Sequence, residues 1–390
     1  NYNTSTIYDS NLYHIQILNW SSFYKIIFGL SNLEIRFGTN SFWQLILSIF
    51  NNPKYKVQVL YILNCVPISI LISQFYSTSF ENNKLSSIFI FSCLNFILLF
   101  SIIHPISNGF ILNSIRSPEV DTVAMCFFIF SVYFFLKYFE DFRESDYIYC
   151  FLFSSLSAIT KISHIGVMLL PFALFVLTKK KFNRTLFVCC ILFILWSLKS
   201  FILSGCWVFP ISSTCYPEFI WSTPINEIKL HSDTISSYPR AHSANPLRIM
   251  DFPYTLYSLE WFFPWIKTYF LATSFFVIFL SIIFISLAVF VLTYNKRSNK
   301  IYKEKIFYIF IVFYLINLYI WFKAPELRYG YGLFISLCCL SFSYSFKIFI
   351  DKFNLLKKFK FFPIILILIL IIQNYKNINF LNETNKIKFD

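Results

Sequence analysis

Charge is scarce in this chain. Asp, Glu, Lys and Arg together make up 13% of its 390 residues, against 57% hydrophobic and 22% aromatic. A water-soluble domain of this length carries about 25% charged residues, so an ordinary soluble fold is excluded. The familiar cofactor and hydrolase signatures are also missing: there is no P-loop, GxGxxG, GxSxG or HExxH. Ten cysteines contain no CxxC and no Cys/His spacing of a zinc site. The 33 basic residues outnumber the 19 acidic ones and give a formal charge of +14, but they form no aromatic-interleaved patch. Nucleic acid is therefore not an expected partner. A starting Met and a signal peptide are lacking, and the opening residues NYNTSTIYDSN are polar. The expectation is that a first spanning helix has been lost ahead of them.

What the chain does have is long apolar runs such as LATSFFVIFLSIIFISLAVFVLTY (271–294). A stretch of about 18 residues or more suffices to cross a bilayer. Ten spans are expected, at 57–76, 86–103, 122–139, 147–160, 163–178, 185–204, 266–293, 306–323, 330–350 and 361–373. The basic connectors KKKFNR (179–184), NKRSNKIYKEK (295–305) and DKFNLLKKFK (351–360) mark the cytoplasmic side. Residues 147–178 then divide into two short helices hinged at KIS, which keeps both flanking connectors inside. The expected fold class is an all-α, polytopic membrane bundle. It has an outside segment 1–56, transmembrane helices in 57–204, a large outside loop 205–265, further transmembrane helices in 266–373 and a polar tail 374–390.

On this topology the titratable groups gather on one side. All five histidines (14, 104, 164, 231 and 242) fall in outside segments or at outside helix ends, with Asp9, Glu119, Asp121, Lys161, Glu326 and Arg328. Charge abutting an apolar run is costly unless paired or used. Each residue also has a bland reading. Asp9 suits an N-cap ahead of LYHIQIL, and His14 a hydrogen-bonded interfacial histidine. Glu119 and Asp121, in SPEVDT, suit the first turn of a helix behind Pro118. Lys161 suits an acid or a phosphate equally, and Arg328 suits Glu326 or a substrate phosphate. The first outside segment is expected to form two amphipathic helices, with Trp20 and Trp43 as interfacial anchors. Cys206 and Cys215 lie outside the spans and suit a disulfide in an oxidising compartment. The other eight cysteines suit small buried hydrophobes.

Taken in order, the outside segments resemble the GT-C class of membrane glycosyltransferases, which use polyprenyl-phosphate-linked sugars and include the aminoarabinose and protein mannosyl transferases. DSNLYHIQILNW, GLSNLEIRFGTNSFW, SPEVDT, SGCWVFPISSTC and APELRYG look more closely like a set of bacterial membrane proteins associated with lipopolysaccharide or surface-polysaccharide synthesis. That resemblance covers most of the chain up to about residue 350. It implies that Asp9 is the catalytic base, that Asp121 is the acid opening a later span, and that His14 and Glu119 support it. Lys161, Arg328 and Glu326 would face the donor phosphate. A divalent metal, Mg or Mn, on Asp9 and Asp121 is compatible with that chemistry. The implied partners are a polyprenyl-phosphate-linked sugar, a glycan or lipid acceptor and membrane lipids. The implied location is a bacterial inner membrane, with the active site facing the periplasm. Two other readings stand beside this one. A polysaccharide polymerase or ligase would lean on Arg240, His242 and Arg248. A transporter or flippase would carry charge near mid-membrane and repeated broken helices, which this chain does not display.

Overall fold

The computed structural model describes residues 9–51, 56–78, 84–103, 118–178, 184–242, 245–270, 301–353 and 365. These residues are helical throughout, apart from turns and one isolated bridge between Cys206 and Cys215. We name the helices α1 (Ile15–Phe23), α2 (Phe42–Ile49), α3 (Lys56–Thr78), α4 (Leu85–Ile103), α5 (Asp121–Asp141), α6 (Glu144–Thr160), α7 (Leu169–Thr178), α8 (Arg184–Ser204), α9 (Ile225–Ala241), α10 (Ile301–Lys323) and α11 (Tyr331–Phe353). The expected spans at 266–293 and 361–373 lie almost wholly outside the described residues, as do most of the three basic connectors, His104 and the polar tail.

At the centre is α5. Every residue from Asp121 to Leu136 is buried, as befits a helix that is hydrophobic all round. It packs against α4, α6 and α11. Small polar side chains let α6 approach: Ser131 and Ser154 hydrogen-bond across the contact, and Ser157 Oγ donates to the Ala124 carbonyl at 3.1 Å. At its C-terminal end, Glu140 accepts from the Leu85 amide at 2.6 Å and Lys84 pairs with Asp141 at 2.6 Å. An anion thus sits on the first turn of α4, where the helix dipole favours it.

Two helices, α5 and α8, are long and apolar enough to cross a membrane, and four shorter apolar helices accompany them among the described residues. They differ in environment. The apolar window of α5 is 89% buried in the protein, that of α8 only 28%.

The chain breaks after Thr160. Lys161 is extended (φ −146°, ψ 113°), a 3-10 turn runs over Ile162–Met168, and α7 follows. The interruption falls at the KIS hinge. The segment expected outside does form two helices, α1 and α2, but Trp43 is no interfacial anchor. It is buried, and its indole donates to Asn64 Oδ1 at 2.7 Å, because α2 packs inward against α3. Nor does Pro118 open a helix. The helix starts at Asp121, and its N-cap is Val120, with no capping side chain. Of the eight free cysteines six are buried, whereas Cys65 is exposed and Cys190 half-buried.

Candidate functional site

The segment carrying Asp9 is fastened across the bundle end. The Gly29 amide donates to the Ile202 carbonyl at 2.9 Å and Ser31 Oγ to that of Leu203 at 2.7 Å. Asn40 and Trp196 exchange side-chain-to-backbone bonds at 2.6 and 2.9 Å. Gly29 adopts φ +67°, and a Cβ there would collide with the Trp221 carbonyl oxygen. The position therefore demands glycine on both counts.

So held, the segment meets three others. Asp9 Oδ2 lies 2.7 Å from a guanidinium nitrogen of Arg328, a separation of 319 residues in sequence. The same nitrogen is 3.9 Å from Glu119 Oε1. Lys161, freed from helical geometry by the break after α6, pairs with Asp121 at the start of α5 and donates to the Arg328 carbonyl at 3.3 Å. Its ammonium stands 4.4 Å from the Tyr329 ring centroid, within cation–π range. Three acids and two cations thus form one connected cluster.

The pairs are layered. The side chains of Asp121 and Lys161 are each 11% exposed, those of Asp9 and Arg328 22% and 31%. Asp121–Lys161 is the inner pair and Asp9–Arg328 the water-facing one. Burial pushes the Glu119 carboxyl up to about 7, helped by Asp121 and opposed by Arg328. Burial lowers the Lys161 ammonium, with Asp121 working against it. Near neutrality, then, Glu119 carries a proton part of the time, and the cluster approaches two charges of each sign.

His14 borders the cluster. It is buried, its ring 4.1 Å from that of Tyr13, and the Gln44 amide approaches its Nδ1 at 2.5 Å. An amide NH2 only donates, so Nδ1 accepts and the neutral ring carries its proton on Nε2. Burial lowers this histidine to about 4. Gln44 also reaches the Pro118 carbonyl at 3.4 Å, joining α2 to the Glu119 strand of chain. Gln44 and Tyr329 were not singled out by sequence reasoning. The signal for Gln44 was a lone amide inside the apolar run FWQLILSIF.

Of the residues expected at a site, Asp9, Glu119, Asp121, Lys161 and Arg328 come together, with His14 alongside. Arg328 takes Asp9 and Glu119 as carboxylate contacts, and the Glu326 carbonyl receives the Trp321 indole at 2.8 Å. Asp9 lies just ahead of the helical turn Ser10–His14, with its carboxylate directed across the bundle end. Cys206 and Cys215 form a disulfide. Arg240 and Arg248 are occupied in the large loop. Arg240 donates to the carbonyls of Thr255 and Lys323 at 2.7 and 2.9 Å, and Arg248 pairs with Asp251 at 2.7 Å. As metal ligands, Asp9 and Asp121 are each already committed to a cation. Among the described residues no three His, Cys, Asp or Glu side chains converge to hold an ion. A divalent ion would have to displace Lys161 or Arg328.

Architecture and site together define an all-helical protein, with two helices suited to a membrane and a layered ionic cluster at one end of its bundle. The chain belongs to the DUF8201 family, a domain of unknown function whose family model matches residues 2–336. No curated protein and no solved structure matches it.

Proposed function

We infer that the chain is a multi-pass glycosyltransferase of a bacterial inner membrane. It moves a sugar, with inversion, from a polyprenyl-phosphate donor to a surface glycan or lipid acceptor on the periplasmic side. The single observation carrying this reading is the convergence of Asp9 with Glu119, Asp121, Lys161 and Arg328 from four distant parts of the chain. The ten-span topology inferred from the apolar runs gives such a site a membrane surface, where a lipid-linked donor resides.

Asp9 is the base, and the layering supports the choice, since it is the most exposed of the three acids. Its carboxylate takes the proton of the acceptor hydroxyl as that oxygen attacks the anomeric carbon. The bond from that carbon to the phosphate oxygen breaks, and its electron pair leaves on the lipid phosphate. A phosphate needs cations rather than a general acid to leave. Arg328 is suited to that task because its planar fork accepts phosphate or carboxylate alike. An arriving phosphate would compete for the guanidinium now held 2.7 Å from Asp9, releasing that carboxylate for the acceptor. Donor binding and base activation become one event.

The test compares a deletion strain complemented with wild-type protein or with Asp9→Asn. Polyprenyl-phosphate-linked sugars and envelope glycans are profiled by mass spectrometry. Loss of one glycan modification with accumulation of its lipid-linked donor is expected for the deletion and for Asp9→Asn. Full complementation by a normally expressed Asp9→Asn protein would sink the assignment.

A further inference from the structure

The exposed face of α8 does not end with the helix. Phe187, Ile191, Ile194 and Leu198 are all more than one third exposed and recur at helical spacing along one stripe. One turn further stands Phe201, and four rings gather on it. Trp207 stacks at 4.9 Å, Phe219 meets it edge-on at 5.4 Å, and Tyr216 and Trp221 close the group at 6.2 and 6.3 Å. Phe219 and Trp221 stack on each other at 4.7 Å, and Phe28 adds an edge contact at 5.1 Å. Ile220, at the tip, is fully exposed. The stripe therefore runs without interruption from the helix onto the loop behind it.

That loop is stiff and almost uncharged. The Cys206–Cys215 disulfide closes it, and the Trp207 and Tyr216 amides bond back to Thr214 and Gly205 at 3.1 and 3.0 Å. From residue 205 to 223 its one charged side chain is Glu218. An apolar patch this exposed marks an interaction surface. Aromatic residues with a polar edge, next to a lipid-facing helix, are characteristic of the membrane–water interface. A protein partner would be expected to meet rim charges here, and the loop offers one.

We propose that the disulfide-closed loop 205–221 is a membrane-interface anchor, its aromatic face resting in the bilayer leaflet that α8 enters. It holds the first segment, and with it Asp9, at a set height over the lipid surface, because Asn32 Nδ2 donates to the Trp221 carbonyl at 2.8 Å. The proposal rests on the membrane-spanning part of the functional reading and not on glycosyl transfer.

The test uses the full chain in phosphatidylethanolamine/phosphatidylglycerol vesicles, in a Cys65→Ser, Cys190→Ser background. Nitroxide labels are placed singly at Ile220→Cys, at Ile194→Cys on the α8 stripe and at Leu247→Cys as an aqueous reference. Power saturation compares oxygen with a water-soluble nickel chelate. The expected result is an oxygen-to-nickel accessibility ratio severalfold higher at residues 194 and 220 than at 247. If 194 is lipid-exposed but 220 matches 247, the anchor is overturned and the spanning helix stands. If 194 also matches 247, the membrane reading itself fails. Dipolar broadening between labels at residue 220 in dilute vesicles would assign the patch to a second copy of the chain, and likewise overturns the anchor.

Discussion

The inner ion pair makes a quantitative prediction. Asp121 and Lys161 are each 11% exposed and bonded to each other, and Lys161 also meets the Arg328 carbonyl and the Tyr329 ring. Lys161→Met leaves three carboxyl groups facing Arg328 alone. Asp121→Asn leaves a buried ammonium, but also removes a like charge from Glu119. Breaking a buried pair from one side costs about 3–5 kcal/mol, whereas removing both charges is often nearly neutral. Lys161→Met should fall at the upper end of that range and Asp121→Asn at the lower. The double variant should cost about 1–2 kcal/mol, for a coupling of about 6–7 kcal/mol. Equilibrium unfolding in mixed detergent micelles, followed by tryptophan fluorescence, measures all three. Additivity of the two single effects to within about 0.5 kcal/mol would refute the pair as an energetic unit.

Three further outcomes follow from the same geometry. Glu119 is raised from 4.5 to about 7, so the folded state holds its proton longer and stability falls as pH rises through that window. His14 is lowered from 6.5 to about 4, so the unfolded state binds the extra proton and stability rises from pH 4 to 6.5. Each slope is about 1.4 kcal/mol per pH unit and the two nearly cancel. Glu119→Gln should therefore expose the His14 slope, a gain of about 3 kcal/mol between pH 4 and 6.5, and a flat profile in that variant would contradict the assignment. Replacing Cys206 and Cys215, nine residues apart, with Ala should cost roughly 2.5 kcal/mol by loop-closure entropy, measured by the same unfolding assay. Gly29→Ala must force a left-handed residue against the Trp221 carbonyl. It should destabilise by at least about 1–2 kcal/mol, with protease sensitivity appearing first between residues 23 and 40; wild-type stability would show that this turn can relax.

The helices were legible because long apolar runs bounded by charge favour helices buried in protein or lipid, and α3, α4, α5, α8, α10 and α11 cover their expected ranges to within a few residues at most ends. The break at Lys161 falls at the hinge expected from keeping both flanking connectors on one side. Asp121, Lys161 and Arg328 stood out because each abuts an apolar run, and Asp9 through the resemblance of the first segment. Their pairing did not. Nothing local tells Arg328 to choose Asp9, 319 residues away. That choice is made by the turn Leu327–Gly330 and by the hydrogen bonds that carry the first segment across α8. Trp43 was misplaced for a related reason. An indole can anchor at an interface or bury against an amide, and the deciding partner, Asn64, lies on another helix.

The layering separates what holds the cluster from what the cluster does. Asp121 and Lys161 are too enclosed to meet a substrate without rearrangement, and their pairing is the larger energetic stake. Asp9 and Arg328 are wetter, so their attraction is more screened and worth about 1 kcal/mol. Under the proposed function that weakness suits an exchangeable pair, because an incoming phosphate need outbid only a modest partner. Stability and activity should therefore come apart along the two layers. Asp9→Asn should unfold within about 1 kcal/mol of the wild type while abolishing the glycan change in cells, whereas Asp121→Asn should lose both together. If Asp9→Asn instead unfolds as readily as Asp121→Asn, the outer pair is part of the scaffold, and the acid that meets a substrate must be sought elsewhere.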